Sequence, residues 1–266
     1  MFHWLKHYVR IQIAVAILSS LFLLIAPLPS KSDHIVANPV YARTKARQLL
    51  LQTAPKSPSI KHNILLHAPI LGQLPQLENG CEVTSLAMLL QYEHISVSST
   101  TLAKQIARDP TPLVINQNGH IASWGDPNDG FVGSITGRKP GFGVFHHPIA
   151  LLLARYEPHQ ALDLTGTNWD TLLQVVKSGR PVIAWTTIYL APVTNFVTWN
   201  SPSGPIHTTL FEHAVLLVGY NDTQVFINNP LTDSFQSVPM AAFRESWIQM
   251  GRQAVTIAPQ GEPLTK

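Results

Sequence analysis

Cysteine is almost missing from this chain: one residue, Cys81, stands in 266. No internal disulfide can form, so the fold must be held by its core. Charge is thin as well. Lys and Arg number 18 against 15 Asp and Glu, a net charge of +3 with 12% charged residues, and no basic run interleaves with aromatics, which removes the footprint of a nucleic-acid partner. HExxH, paired CxxC and GxxxxGK[ST] are all absent, as is any internal repeat, so the local signatures of zinc sites and P-loops are missing. What the chain does have is apolar mass. At 45% hydrophobic residues it can bury a core in one large domain or two small ones.

The longest hydrophobic run stands near the N-terminus. Lys6 and Arg10 precede an apolar stretch over residues 11–27, IQIAVAILSSLFLLIAP, the layout of a signal peptide or an N-terminal membrane anchor. The following PLPSKSD is a poor cleavage site, and the basic residues before the run would hold the N-terminus in the cytoplasm. No cysteine closes the run, which excludes lipid attachment there. Residues 1–30 are therefore expected to be a signal peptide or anchor, 31–61 a polar linker and 62–266 the folded domain. That domain is expected to be extracellular, secreted or tethered to the outer face of the cytoplasmic membrane.

Cys81 sits where a loop containing Pro and Gly turns into a helix, in LGQLPQLENGCEVTSLAMLLQY. Val83, Leu86, Ala87 and Leu90 recur at the spacing of one buried helical face over residues 81–92. A thiol at a helix start feels the positive end of the backbone dipole, which favours thiolate; the plainer alternative is a buried, inert cysteine. A second helix is expected from about Thr100 to Arg108, capped by Ser99 or Thr100. Residues 109–145 are dominated by Gly, Pro, Asn and Asp and read as an irregular cleft wall. Helices follow from Pro148 and, capped by Asn168, through Trp169, Leu172, Leu173 and Val176 to Gly179. PVIAWTT reads as a buried strand, and AVLLVGY and VFIN as a hairpin about NDTQ. The tail adds a strand near Phe235, a helix from Pro239 and a last strand, QAVTIAP. Helices early and strands late give an α+β fold.

A cysteine nucleophile needs a base, and the base needs a partner that fixes its tautomer. His213 opens AVLLVGY and Asn229 closes the returning strand, so the hairpin brings both to one end. They face each other if the turn centres near Asn221 and miss by about three residues if it is tighter. Asn228 points to the opposite strand face. The Cys81 N–H offers one oxyanion donor, and Gln73 and Gln76 both lie at a suitable distance for the second. His146, His147, His207 and His213 show no zinc spacing, and WGDPNDG lacks a complete calcium loop and reads as a substrate-binding loop. Neither a metal nor a cofactor is expected. Trp124, Trp185 and Trp199 read as core aromatics more readily than as cleft walls.

The segments QLPQLENGCEVTSLAMLLQY, WGDPNDGFVG, GFGVFHHPIA, PVIAWTT, HAVLLVGYN and VFINNP, in this order over residues 66–259, resemble the bacterial C39-like peptidases, a branch of the papain-like cysteine proteases. The resemblance implies a papain-like fold, its N-terminal half carrying the nucleophile helix packed on a C-terminal antiparallel sheet. It also implies Cys81 as nucleophile, His213 as base, Asn229 as orienting residue and Gln73 as oxyanion donor. Relatives often carry Asp before the proline corresponding to Pro230; Asn229 accepts an imidazole N–H without offering a full charge. Members that trim bacteriocin leaders are fused to transporter and ATPase domains, and no such motif occurs here. The implied activity is that of a stand-alone extracellular cysteine hydrolase acting on a peptide or amide bond. Two rivals are a catalytically silent surface binding module of the same fold and a cell-wall amidase or transpeptidase.

Overall fold

The computed structural model describes residues 63–258; the expected signal or anchor and the linker lie outside the described residues. The apolar runs VIAWTT and HAVLLVGY form the centre of a seven-stranded sheet. Its strands are β1 (Ile64–Leu65), β2 (Ala161–Asp163), β3 (Val182–Thr187), β4 (Glu212–Tyr220), β5 (Gln224–Asn229), β6 (Ser234–Pro239) and β7 (Ala254–Ile257). They run β6-β5-β4-β3-β7-β2, antiparallel throughout, with β1 paired to the end of β4. The helices are α1 (Cys81–Tyr92), α2 (Ser99–Gln105), α3 (His146–Leu153), α4 (Trp169–Lys177) and α5 (Met240–Gln249).

Every residue of β3 and β4 is buried because both faces of the sheet are covered. Strand alternation divides the core. Ile183, Trp185, Ala214, Leu216 and Val218 pack with residues of α1, α2 and α3. Val182, Ala184, Val215 and Leu217 pack with Trp169 and Leu172 of α4 and Phe243 and Trp247 of α5. The expected α+β class and its helix-then-sheet order hold.

Three expectations change in detail. Helix α1 is buried from Cys81 to Leu90 on all sides instead of along one face, the mark of a helix running through a core. Its polar residues hid this: Glu82 Oε1 accepts from Val144 N at 2.7 Å and Ser85 Oγ donates to Ala214 O at 3.2 Å, while Glu82 Oε2 and Thr84 Oγ1 have no hydrogen-bond partner among the described residues. The cap of α2 is Ser98, whose Oγ accepts from Thr101 N at 3.1 Å. Residues 109–145 hold short strands of two small sheets, one of them completed by the hairpin Val197–Ser201 and Gly204–Thr208. This region has its own core of Trp124, Val132, Phe142, Trp199 and Ile206. Within WGDPNDG, Asp126 is buried and accepts from Asn128 N, Asn128 Nδ2 and Ser201 Oγ, so its carboxylate fastens a turn and not a free loop. Trp124, Trp185 and Trp199 are all core residues.

Candidate active site

Cys81 is the first residue of α1, and Gly80 precedes it because a Cβ there would lie 2.5 Å from Leu77 Cβ. The loop is held from outside: Asn79 N donates to Ile135 O at 3.0 Å and Asn79 Nδ2 to Ser134 O at 2.7 Å. The Ser85–Ala214 bond then ties the first turns of α1 to β4, beside His213.

His213 and Asn229 meet directly, with His213 Nε2 2.9 Å from Asn229 Oδ1. Leu216 pairs with Asn228, which sets Asn229 diagonal to His213 instead of opposite it; side chains close that diagonal. Asn229 Nδ2 donates to Gln236 Oε1 at 3.1 Å, and Oδ1 also accepts from Leu231 N at 3.0 Å. With its amide thus oriented, Asn229 Oδ1 accepts a hydrogen bond from Nε2–H, which keeps the proton on Nε2 and leaves Nδ1 of His213 as the basic nitrogen. Asn228 turns the other way, donating to Ala68 O and Pro69 O. Gln73 is 3% exposed, its backbone N bonded to Pro230 O and its Nε2 to Glu78 O, both at 2.9 Å. One amide hydrogen remains for an incoming oxyanion. Gln76 is exposed, which favours Gln73.

The profile of the Peptidase_C39 like family matches residues 65–255. The chain belongs to this family. The uncharacterized protein YvpB of Bacillus subtilis (strain 168) is 42% identical over 183 residues, 69% of this chain and 70% of YvpB. A Bacillus anthracis crystal structure, designated a C39-like peptidase, is 40% identical, with a TM-score of 0.69 over 75% of this chain and 99% of that one. The mixed α+β architecture of this C39-like chain is accordingly a papain-like fold.

Two residues of this C39-like site were missed by sequence reasoning. Glu82 follows Cys81, Glu212 precedes His213, and one ligand atom from each of Cys81, Glu82 and Glu212 lies within 4.8 Å of the others. An acid directly flanking both Cys81 and His213 was the available signal. Burial drives the Cys81 thiol well above its ordinary value, Glu82 and Glu212 push it further, and the Ala214 N–H opposes them. The neutral thiol is therefore the resting form, against the expectation that the helix start would favour thiolate. Burial lifts Glu82 to about 7, opposed by its own and the Val144 N–H, and it raises Glu212 well above the carboxylate range with help from Glu82. Burial also lowers His213 to about 4, partly offset by Asn229. The polar groups acting on the thiol are thus Glu82, Glu212 and the Ala214 peptide, while the His213 ring is bonded to Asn229; thiol and ring are not hydrogen-bonded to each other in this conformation.

Elsewhere, His146 Nδ1 lies 2.6 Å from Asp163 Oδ2 and His207 Nδ1 lies 2.8 Å from Thr198 Oγ1, which gives both rings structural partners. A cleft of about 930 Å³ opens at the far end of α1, bordered by Tyr92, His94, Glu157 and Arg180, remote from Cys81 along the helix.

Proposed function

We propose that the chain is an extracellular cysteine hydrolase that cleaves a peptide or amide bond through Cys81, His213 and Asn229. The observation that carries this is the 2.9 Å bond from His213 to Asn229, which leaves Nδ1 as a base on the strand against which α1 packs. For the reaction, the Cys81 side chain turns from the carboxyls toward Nδ1, and the proton passes from sulfur to imidazole. The thiolate attacks the carbonyl carbon, and the Cys81 N–H and Gln73 Nε2 receive the oxyanion. The imidazolium protonates the leaving amine, and water activated by His213 then hydrolyses the thioester. The N-terminal apolar run supports placement outside the membrane.

The test is incubation of the chain with a peptide library and, separately, with cell-wall fragments, with products identified by mass spectrometry. Cleavage abolished by Cys81→Ala and by His213→Ala supports the proposal. Wall products alone turn it into an amidase or transpeptidase. No products from either source identifies a binding module.

A further inference from the structure

The proposed hydrolysis has no use for two buried acids beside its nucleophile. Glu82 is completely buried and Glu212 is 8% exposed; the Cys81 thiol interacts with the Glu82 carboxyl, and among the described residues Glu82 Oε2 and Glu212 Oε1 have no hydrogen-bond partner. Burying carboxyl oxygens without partners is costly. Among the described residues no Lys or Arg contributes to the electrostatics of either group. Space is kept for them: a Cβ on Gly143 would lie 2.4 Å from Glu82 Oε1 and 2.9 Å from Glu212 Oε2. The backbone of Gly143 and Val144 forms one wall, with Val144 N donating to Glu82 Oε1 at 2.7 Å. Into this recess also projects the one thiol of the chain.

We propose that Cys81, Glu82 and Glu212 form a zinc-binding site, walled by Gly143, that holds the thiol in its resting orientation. One sulfur and two carboxylate oxygens satisfy three positions of a tetrahedral ion and leave the fourth to water. Thiolate in the set selects zinc over calcium or magnesium. Ligands on a tetrahedral zinc are roughly 3.3–3.8 Å apart given its bond lengths; the 4.8 Å envelope of the three atoms reaches that by small carboxylate rotations. Binding forms the Zn–S bond and releases to solvent the thiol proton together with those held by the two carboxyls. The site requires no hydrolytic activity; only its consequence, a silenced nucleophile, rests on the function proposed above.

The full-length chain, stripped with EDTA, is titrated with Zn²⁺ against a chromophoric chelator and with Co²⁺ while the cobalt–thiolate absorption is followed. One equivalent should bind, with the thiolate band present in the parent chain and absent in Cys81→Ser. Glu212→Gln and Glu82→Gln should each weaken binding at least tenfold, the thermal melt of each showing that it is folded. One equivalent of Zn²⁺ should slow alkylation of Cys81 at least tenfold, with recovery on adding EDTA. A missing thiolate band, or affinity unchanged in both Gln variants, overturns the site. Zinc binding here with no hydrolysis by the EDTA-stripped chain sinks the hydrolase and keeps the site; hydrolysis through Cys81 without the band does the reverse.

Discussion

Replacing Asn229 with Asp tests how far the orienting carboxamide sets the basicity of His213. Burial lowers the ring from 6.5 to about 4, which corresponds to roughly 3 kcal/mol against imidazolium. That net value already includes the partial recovery supplied by the neutral Oδ1 at 2.9 Å. A carboxylate in its place would attract imidazolium by about 4 kcal/mol at roughly 4 Å and an effective dielectric near 20, and its own desolvation takes back much of the gain. A net charge-assisted contribution of about 1.5–3 kcal/mol remains, so His213 should rise by roughly one to two units. The Leu231 N–H keeps its acceptor, and the Gln236 amide can turn to donate where it now accepts from Nδ2. The direct assay follows the His213 ring by NMR from pH 3 to 8; a second reads the acid limb of Cys81 alkylation by iodoacetamide. Stability provides the sign check. A base depressed on folding contributes stability that is present above 6.5 and lost as pH falls through about 4, so Asn229→Asp should lose less stability over that window. If the acid limb and the ring titration both superimpose on those of the parent chain, the hydrogen bond does not govern the base, and the reasoning fails.

Three further outcomes are expected. Glu82→Gln in chelator-treated buffer should leave stability unchanged below pH 4.5 and raise it by about 2–3 kcal/mol at pH 8, because the carboxyl's folded value of about 7 makes its contribution disappear as pH rises from 4.5 through 7; urea melts at the two pH values read this. Gly143→Ala should cost about 2–3 kcal/mol in the same melts, since φ is +151° and the new Cβ meets both carboxyls. With a substrate in hand, Gln73→Ala should lower kcat by about 10²-fold with KM little changed, whereas Gln76→Ala, at an exposed position, should leave both as they are.

The sequence read the site's frame well because that frame depends on local rules. The loop-to-helix transition at Cys81 follows from Gly80 and the helical spacing after it. Strand alternation chose Asn229 over Asn228, and the two amides do turn to different partners. The exact register was not legible: the irregularity between Leu217 and Gly219 and the pairing of Leu216 with Asn228 depend on how β5 settles against its neighbours. Glu82 and Glu212 were overlooked because each looks locally like a helix-start or loop acid; only contacts from 62 residues away, such as Val144 to Glu82, put them inside. The short strands within 109–145 carry two or three residues each, too few for a periodic signal.

A lone sulfhydryl at 6% exposure, rooted in a helix enclosed on every side, makes the molecule its own clock. Any electrophile larger than water must wait for the surrounding structure to part, so the labelling rate counts openings. Comparing small and bulky alkylating agents on unmodified protein would separate a narrow breach at the helix start from full unravelling, with no engineered probe.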